Sequence, residues 1–367
     1  MDSNLLFEIA LTKIPNIGDV QAKAMVQMLG SAEAVFKTTA SKLEKIEGIG
    51  KVRADAVKRF RLFKEVEQEI KFINKNNIKA LFFTSENYPK RLLNCTDSPI
   101  MLYYKGVANL NADKIISIAG TRNHTHQGQY DCEKLIKDLS EFDVTIVSGL
   151  AYGIDTVAHK SALANNLPTI GVLAHGLHTL YPSVNEPLSK EMLKQGGLLT
   201  EFSSTEKPDK QNFPKRNRIT AGICDALVVV ESGIKGGSLI TAEIANSYHR
   251  DVFAFPGRTN DNKSEGCNEL IKSHKAQLIT SAKDLVNLMR WENNRQTEKP
   301  TQLTLFENLN DLEKKIVELL CTEKTAHVDA ISDWCKYNSN EIAGALLNLE
   351  MMEKITALPG KIFRLAR

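Results

Sequence analysis

Apolar residues fall along this chain in three different rhythms. Over residues 1–77 they recur at helical spacing, over 78–290 short continuous apolar runs alternate with amphipathic stretches, and over 309–367 helical spacing returns before two final β-like segments. Continuous runs bounded by Gly, Pro and polar clusters predict strands buried on both faces. Ile115–Ala119, Val144–Val147, Thr169–Ala174, Leu198–Glu201, Ala226–Glu231 and Val252–Phe255 are such runs. Helical patterns lie between and after them, at Gln129–Leu139, Thr156–Ala164, Asn185–Lys194, Leu239–Tyr248 and Glu269–Ser273. Repeated right-handed crossovers of this kind predict an α/β fold, an extended Rossmann-like, doubly wound, mostly parallel sheet. Two more β-like runs within Lys79–Tyr104 extend it on the N-terminal side.

The first segment contains a repeat. Ile14-Pro15-Asn16-Ile17-Gly18-Asp19-Val20-Gln21-Ala22 recurs as Ile46-Glu47-Gly48-Ile49-Gly50-Lys51-Val52-Arg53-Ala54, and each copy runs into a helix. A tight Gly turn between helices predicts a helix-hairpin-helix (SAM-like) domain over 1–77, with Gly50 supplying an unusual φ. The second copy adds Gly48, Lys51 and Arg53, so its helix start suits a phosphate as well as simple packing. Both uses stay open. At the other end, Glu292–Pro300 is polar and aperiodic, which predicts a linker over 291–308. Three amphipathic helices and a hairpin around Pro359-Gly360 then predict a winged helix over 309–367.

Composition narrows the function classes. The 367 residues suffice for two or three domains, and no apolar run is long enough to span a bilayer. Met1-Asp2-Ser3-Asn4 lacks the features of a secretory signal, so a cytoplasmic protein is expected. Six scattered cysteines without a CxxC predict neither a zinc site nor a disulfide framework. A formal charge of +3 does not by itself announce a nucleic-acid partner. What matters is where the cations sit.

They sit at strand ends. Gly120-Thr121-Arg122 follows the first central strand, and Ser148-Gly149-Leu150-Ala151-Tyr152-Gly153-Ile154-Asp155 follows the second, with His159-Lys160 one turn later. Gly236-Gly237-Ser238 follows the fifth. Just before that fifth strand, Phe213-Pro214-Lys215-Arg216-Asn217-Arg218 reads as a cationic loop carrying a ring. Together these predict a phosphate-lined groove at the carboxyl edge of the sheet, suited to a polyanion with flat bases. The absence of GxGxxG after the first strand disfavours a dinucleotide, and no cofactor is expected. Gly149 and Gly153 equally suit tight turns and close packing. Asp155 fits an N-cap, Glu243 a surface salt bridge, and the pairs His124/His126 and His175/His178 surface positions.

These strings, in order, with Gly176 to Tyr181-Pro182, Gly236 to Ala242 and Phe255-Pro256-Gly257, resemble the DNA-processing protein A (DprA/Smf) family over about Lys79–Leu285. The family often has Ser where this chain has Thr121. The resemblance implies a dimeric bacterial protein that binds single-stranded DNA, loads the RecA recombinase onto it during natural transformation, and catalyses no reaction. It implies DNA contacts from Gly120, Thr121, Arg122, Ser148, Gly149, Gly153, Lys160, Lys215, Arg216, Asn217, Arg218, Gly236, Gly237 and Ser238, with Phe213 beside a base.

Two rival readings have residues behind them. Gly236–Glu243 is similar to the PGGxGTxxE string of lysine-decarboxylase-like nucleotide phosphoribohydrolases, in which Arg218 would hold a phosphate and Glu243 would help cleave an N-glycosidic bond. Lys235, Leu239 and Ile240 depart from that pattern. Alternatively, the winged helix reads duplex DNA. Its third helix carries Glu341 and Glu350 and no cation, which favours a protein-contact or regulatory role instead.

Overall fold

The computed structural model describes residues 3–291, 309–323, 325–352, 354–358 and 360–365. These fall into two compact units, one ending at residue 292 and one beginning at 293. The linker expected over 291–308 lies, apart from Trp291, outside the described residues.

In the first unit nine strands form one sheet: β1 (Lys79–Phe82), β2 (Met101–Gly106), β3 (Ile115–Ala119), β4 (Thr145–Ser148), β5 (Thr169–Val172), β6 (Gly197–Thr200), β7 (Ala226–Val229), β8 (Asp251–Ala254) and β9 (Gln277–Leu278). Their order is β1-β2-β6-β5-β4-β3-β7-β8-β9. All pairings from β6 to β9 are parallel, while β1 and β2 add antiparallel edges. Every predicted strand is present within a residue or two, because runs such as Ile115–Ala119 and Ala226–Val229 are buried along their whole length. The short, exposed β9 carries no such pattern and escapes the sequence.

Alternate residues feed two cores. Ile116, Ile118, Ile146, Val228 and Phe253 point to one face, covered by the His126–Leu139 and Ile154–Ala164 helices. Ile115, Val147, Ile170, Leu227 and Val229 point to the other, where they join Ile9, Met25, Val57 and Ile70 of the N-terminal helices in one continuous core. The first 77 residues thus finish the sheet's second face instead of enclosing an apolar core of their own.

Within those helices the two repeats form matching turns. The Asp19–Leu29 helix is N-capped by Gly18 and the Lys51–Arg59 helix by Gly50. Gly50 has an ordinary φ of −77°. The left-handed residue is Gly48, at +76°, and its counterpart Asn16 stands at +63°. Glycine and asparagine are the residues that tolerate this region, so the repeat is closer than identity suggests. Arg53, a phosphate candidate by sequence, donates to Asn16 O at 3.0 Å and Gly48 O at 2.6 Å, clamping the two turns together.

The second unit has helices Asp311–Glu323, Val328–Cys335 and Ser339–Met351 around Ile316, Leu320, Ile331, Ile342 and Leu349. Strands Ile355–Leu358 and Ile362–Leu365 pair as the predicted hairpin, and a short strand Ala326–His327 joins it. Pro359, expected in the turn, lies outside the described residues.

Candidate nucleic-acid interface

Strands β3 to β6 progress to one side of the sheet and β7 to β9 to the other, so crossovers diverge between β3 and β7 and leave a crevice at their carboxyl ends. A cleft of about 660 Å³ fills it. Gly120, Thr121 and Arg122 after β3 and Gly149 and Ala151 after β4 supply its floor. Phe213, Pro214, Arg216 and Asn217 form one wall, with Lys210 before them, and Gly236, Gly237, Ser238 and Thr241 form the other.

The segment read as a loop is the Asn212–Gly222 helix. Pro214 sits in its first turn, where a missing N–H costs nothing, and Ile219, Thr220 and Ala221 are buried against the sheet. At the cleft the Arg122 guanidinium stands 5.3 Å from the centroid of the Phe213 ring. Tyr181, 47% exposed, meets that ring edge-on at 6.2 Å. A cation over one ring and a second ring beside it present flat surfaces next to positive charge. The Arg122 turn is fixed by Thr121 N donating to Glu231 O (2.7 Å) and Ile154 N donating to Thr121 O (3.1 Å). Among the described residues no carboxylate pairs with Arg122. Opposite, the Gly237–Ser247 helix starts at Gly236 without a side-chain cap; Leu239 N donates to Gly236 O at 3.1 Å, and the Gly237 and Ser238 amides stand at the cleft, the positive end of the helix.

The three arginines have different fates. Arg216 is 6% exposed and donates through one terminal nitrogen to Gly149 O and Val172 O, both at 2.6 Å. Asp155, also buried, lies within its field and accepts from Ala151 N at 3.2 Å. Burial pushes the Asp155 carboxyl above its ordinary value, against the opposing pull of Arg216. A Cβ on Gly149 would stand 2.2 Å from the Arg216 guanidinium, and one on Gly153, whose φ is +78°, 2.2 Å from Thr121 O. Both glycines therefore serve close packing that shapes the floor.

Arg218 points away from the cleft. It pairs with Asp19 at 3.1 Å and with Glu201 in a still closer contact. Burial pushes Glu201 up to about 7, with Arg218 pulling the other way and Asp19 reinforcing the rise.

Of the remaining expected contacts, Ser148 is buried and donates to Ile118 O at 2.7 Å. Lys215 is exposed on the same helix but does not line the cleft, and Lys160 and Gly153 line an adjoining recess with His124 and Tyr152. Sequence reasoning missed Tyr181 and Lys210. The Tyr181-Pro182 string was an available signal for the first; Lys210 lies in the mixed-charge stretch Glu206–Lys210, which gives none. His175, expected at the surface, is buried; its Nδ1 donates to Gly176 O (2.9 Å) and its Nε2 accepts from Tyr181 N (3.1 Å), which places Tyr181. Glu243, the acid of the phosphoribohydrolase reading, lies outside the cleft, with its side chain 61% exposed and bonded to Lys275 at 3.0 Å. Among the described residues no cluster of His, Cys, Asp or Glu could hold a metal.

Comparisons with known proteins bear on the fold and the family. Residues 79–290 match the family model of DNA recombination-mediator protein A, and residues 299–361 that of the DprA winged helix domain. The chain is 34% identical to protein Smf of Escherichia coli K12 over 307 residues, 83% of this chain and 82% of that relative. It is 42% identical to the DNA processing protein DprA of Streptococcus pneumoniae over 199 residues, 54% of this chain and 70% of that one. The solved structure of the pneumococcal protein covers 78% of this chain and 98% of its own, at 32% identity and a TM-score of 0.64. DNA processing protein A of Helicobacter pylori, described for its single-stranded DNA binding mode, covers 59% of this chain and 97% of its own, at 30% identity and a TM-score of 0.53.

Two stability measurements follow from the arginines. Arg216→Met strands the Gly149 and Val172 carbonyls and leaves Asp155 without its counter-charge, so denaturant unfolding should show a loss of about 3 kcal/mol or more. A loss under about 1 kcal/mol would place Arg216 outside the framework. Glu201 carries the pH signature. With a folded-state value near 7 against an ordinary 4.5, the folded protein keeps a proton that the unfolded chain releases. Its contribution is therefore fully present below the unfolded value and lost as the pH rises through the folded one. Glu201→Gln, which cannot ionise, should gain in Tm relative to the wild type as the pH climbs from 4.5 through 7. A difference that stays constant over that range would contradict the assignment.

Proposed function

This chain belongs to the DNA recombination-mediator protein A family, the DprA/Smf family, and on that premise we propose that it holds single-stranded DNA in the β3/β7 cleft without sequence preference. The observation that carries the reading is the Arg122–Phe213–Tyr181 cluster facing an uncapped helix start. Ring faces accept any base, while guanidinium, lysine and backbone amides accept the phosphates every nucleotide shares. Lys210 and Asn217 extend the same wall. Lys215, exposed, and Lys160, in the adjoining recess, are available to a strand running out of the cleft. Arg216 and Arg218 are not, being spent on carbonyls and carboxylates.

The cleft is a binding site and not a catalytic centre in this account, which fits the placement of Glu243 at the surface beside Lys275. The protein acts as a cytoplasmic homodimer that protects incoming single strands and passes them to the RecA recombinase during natural transformation and recombination. That part rests on the family resemblance. The winged helix contributes protein contacts, a role favoured by its third helix, which carries Glu341 and Glu350 but no lysine or arginine.

Salt titration of oligothymidylate binding tests the cleft. Arg122→Ala and Lys210→Ala should each weaken binding and remove about 0.7 from the log–log salt slope. Phe213→Ala should cost about 1–3 kcal/mol of affinity with the slope nearly intact, because stacking releases no counterions. Unchanged affinity in all three variants would sink the cleft as the binding site.

A further inference from the structure

The wall that carries Lys210 and Phe213 is pinned at both ends by the N-terminal helices. It begins where β6 ends, at Glu201, runs through an exposed segment, and continues as the Asn212–Gly222 helix. Near its start, Glu69 of the Phe63–Lys75 helix, 4% exposed, accepts from Ser204 N at 2.9 and 3.1 Å and from Ser204 Oγ at 2.6 Å. A buried carboxylate that accepts from two donors, one of them shared between its oxygens, is a strong tether. Toward its other end, Arg218 reaches back to Asp19, whose second oxygen accepts from Ile100 N at 2.8 Å. Asp19 is the first residue of the Asp19–Leu29 helix, the one the first hairpin turn sets. Between the two tethers the residues preceding the helix are held by short-range bonds: Glu206 N donates to Ser203 O, Gly176 N to Glu206 O, Asn212 N to Asp209 O and Gln211 N to Asp209 Oδ1, while Ser203 Oγ meets Thr205 Oγ1, Glu206 Oε1 and Lys13 Nζ at 3.3–3.5 Å. Neither Asp19 nor Glu69 lines the cleft.

We infer that Asp19 and Glu69 are positioning residues for DNA binding: without touching the strand, they set its affinity by holding the two ends of the wall that presents Lys210 and Phe213. The inference rests on the cleft being the single-strand site. It gives the N-terminal helices a part in binding that needs no phosphate contact from their own hairpins. It also explains why Arg218, in a cationic segment beside the cleft, turns its charge away from it.

The test uses the full chain and oligothymidylate. Asp19→Asn keeps an acceptor for Ile100 N and removes the charge facing Arg218, and Glu69→Gln weakens the Ser204 tether. Each should lower affinity by about five- to tenfold, the lower part of the range for coupled sites. The salt slope should fall by less than the roughly 0.7 that Lys210→Ala removes, because Lys210 is displaced and not deleted. A purely structural role would not produce the second result: Asp19→Asn combined with Phe213→Ala should lose clearly less than the two single losses summed, since part of the first change acts through the placement of the second residue. Folded variants that bind as the wild type does, or losses that add in full, would overturn the inference. Should Asp19→Asn fail to fold, Glu69→Gln with Phe213→Ala decides by the same criteria. Wild-type protein that failed to bind would instead sink the single-strand reading itself.

Discussion

One buried guanidinium organises the carboxyl edge of this sheet. Arg216 reaches from the Asn212–Gly222 helix to Gly149 O after β4 and Val172 O at the end of β5, within the field of Asp155. Removing such a group from water is costly, and the cost is offset only when its donors are met and a counter-charge is near. Several features answer that need. Gly149 has no side chain because the guanidinium occupies the space, and Asp155 sits in the first turn of the next helix. With the helix held this way, Phe213 and Asn217 are turned to the cleft.

The cationic segment is thereby divided by depth. Arg216 is internal framework, and Arg218 ties the helix to the N-terminal part through Asp19. Lys215 stays in solvent, while the exposed positive charge at the cleft comes from Arg122 and Lys210, outside this helix. Neighbouring cations in a sequence thus serve packing, docking and ligand contact separately. Helical geometry sets the division, since successive residues turn about a hundred degrees apart.

The sheet was legible because strands buried on both faces must be apolar throughout, as in Ile115–Ala119 and Ala226–Val229. The glycine turns were legible as a strand-end edge, but Gly149 and Gly153 are glycine because Arg216 and Thr121 O crowd them, a packing reason that spacing alone leaves level with phosphate binding. The Asn212–Gly222 helix was not: its charge density and Pro214 read as a loop, and the face it buries includes Arg216 and Thr220, which no apolar periodicity reveals. The role of Arg218 lay further out of reach, because Asp19 is 199 residues away along the chain. Gly48 and Asn16 show a milder failure. The repeat was visible, but which of its residues turns left-handed was set by backbone geometry and not by the commoner glycine, Gly50.

If the cleft is where a single strand lies, its bases pass Phe213 and Tyr181. Photocrosslinking of oligothymidylate to the full-length protein, followed by peptide mapping, reads that contact directly. The account predicts adducts on the segment around Lys210 to Asn217 and at Tyr181. Adducts confined to the hairpin at Lys51–Arg53 or to the winged-helix residues beyond 309 would contradict it.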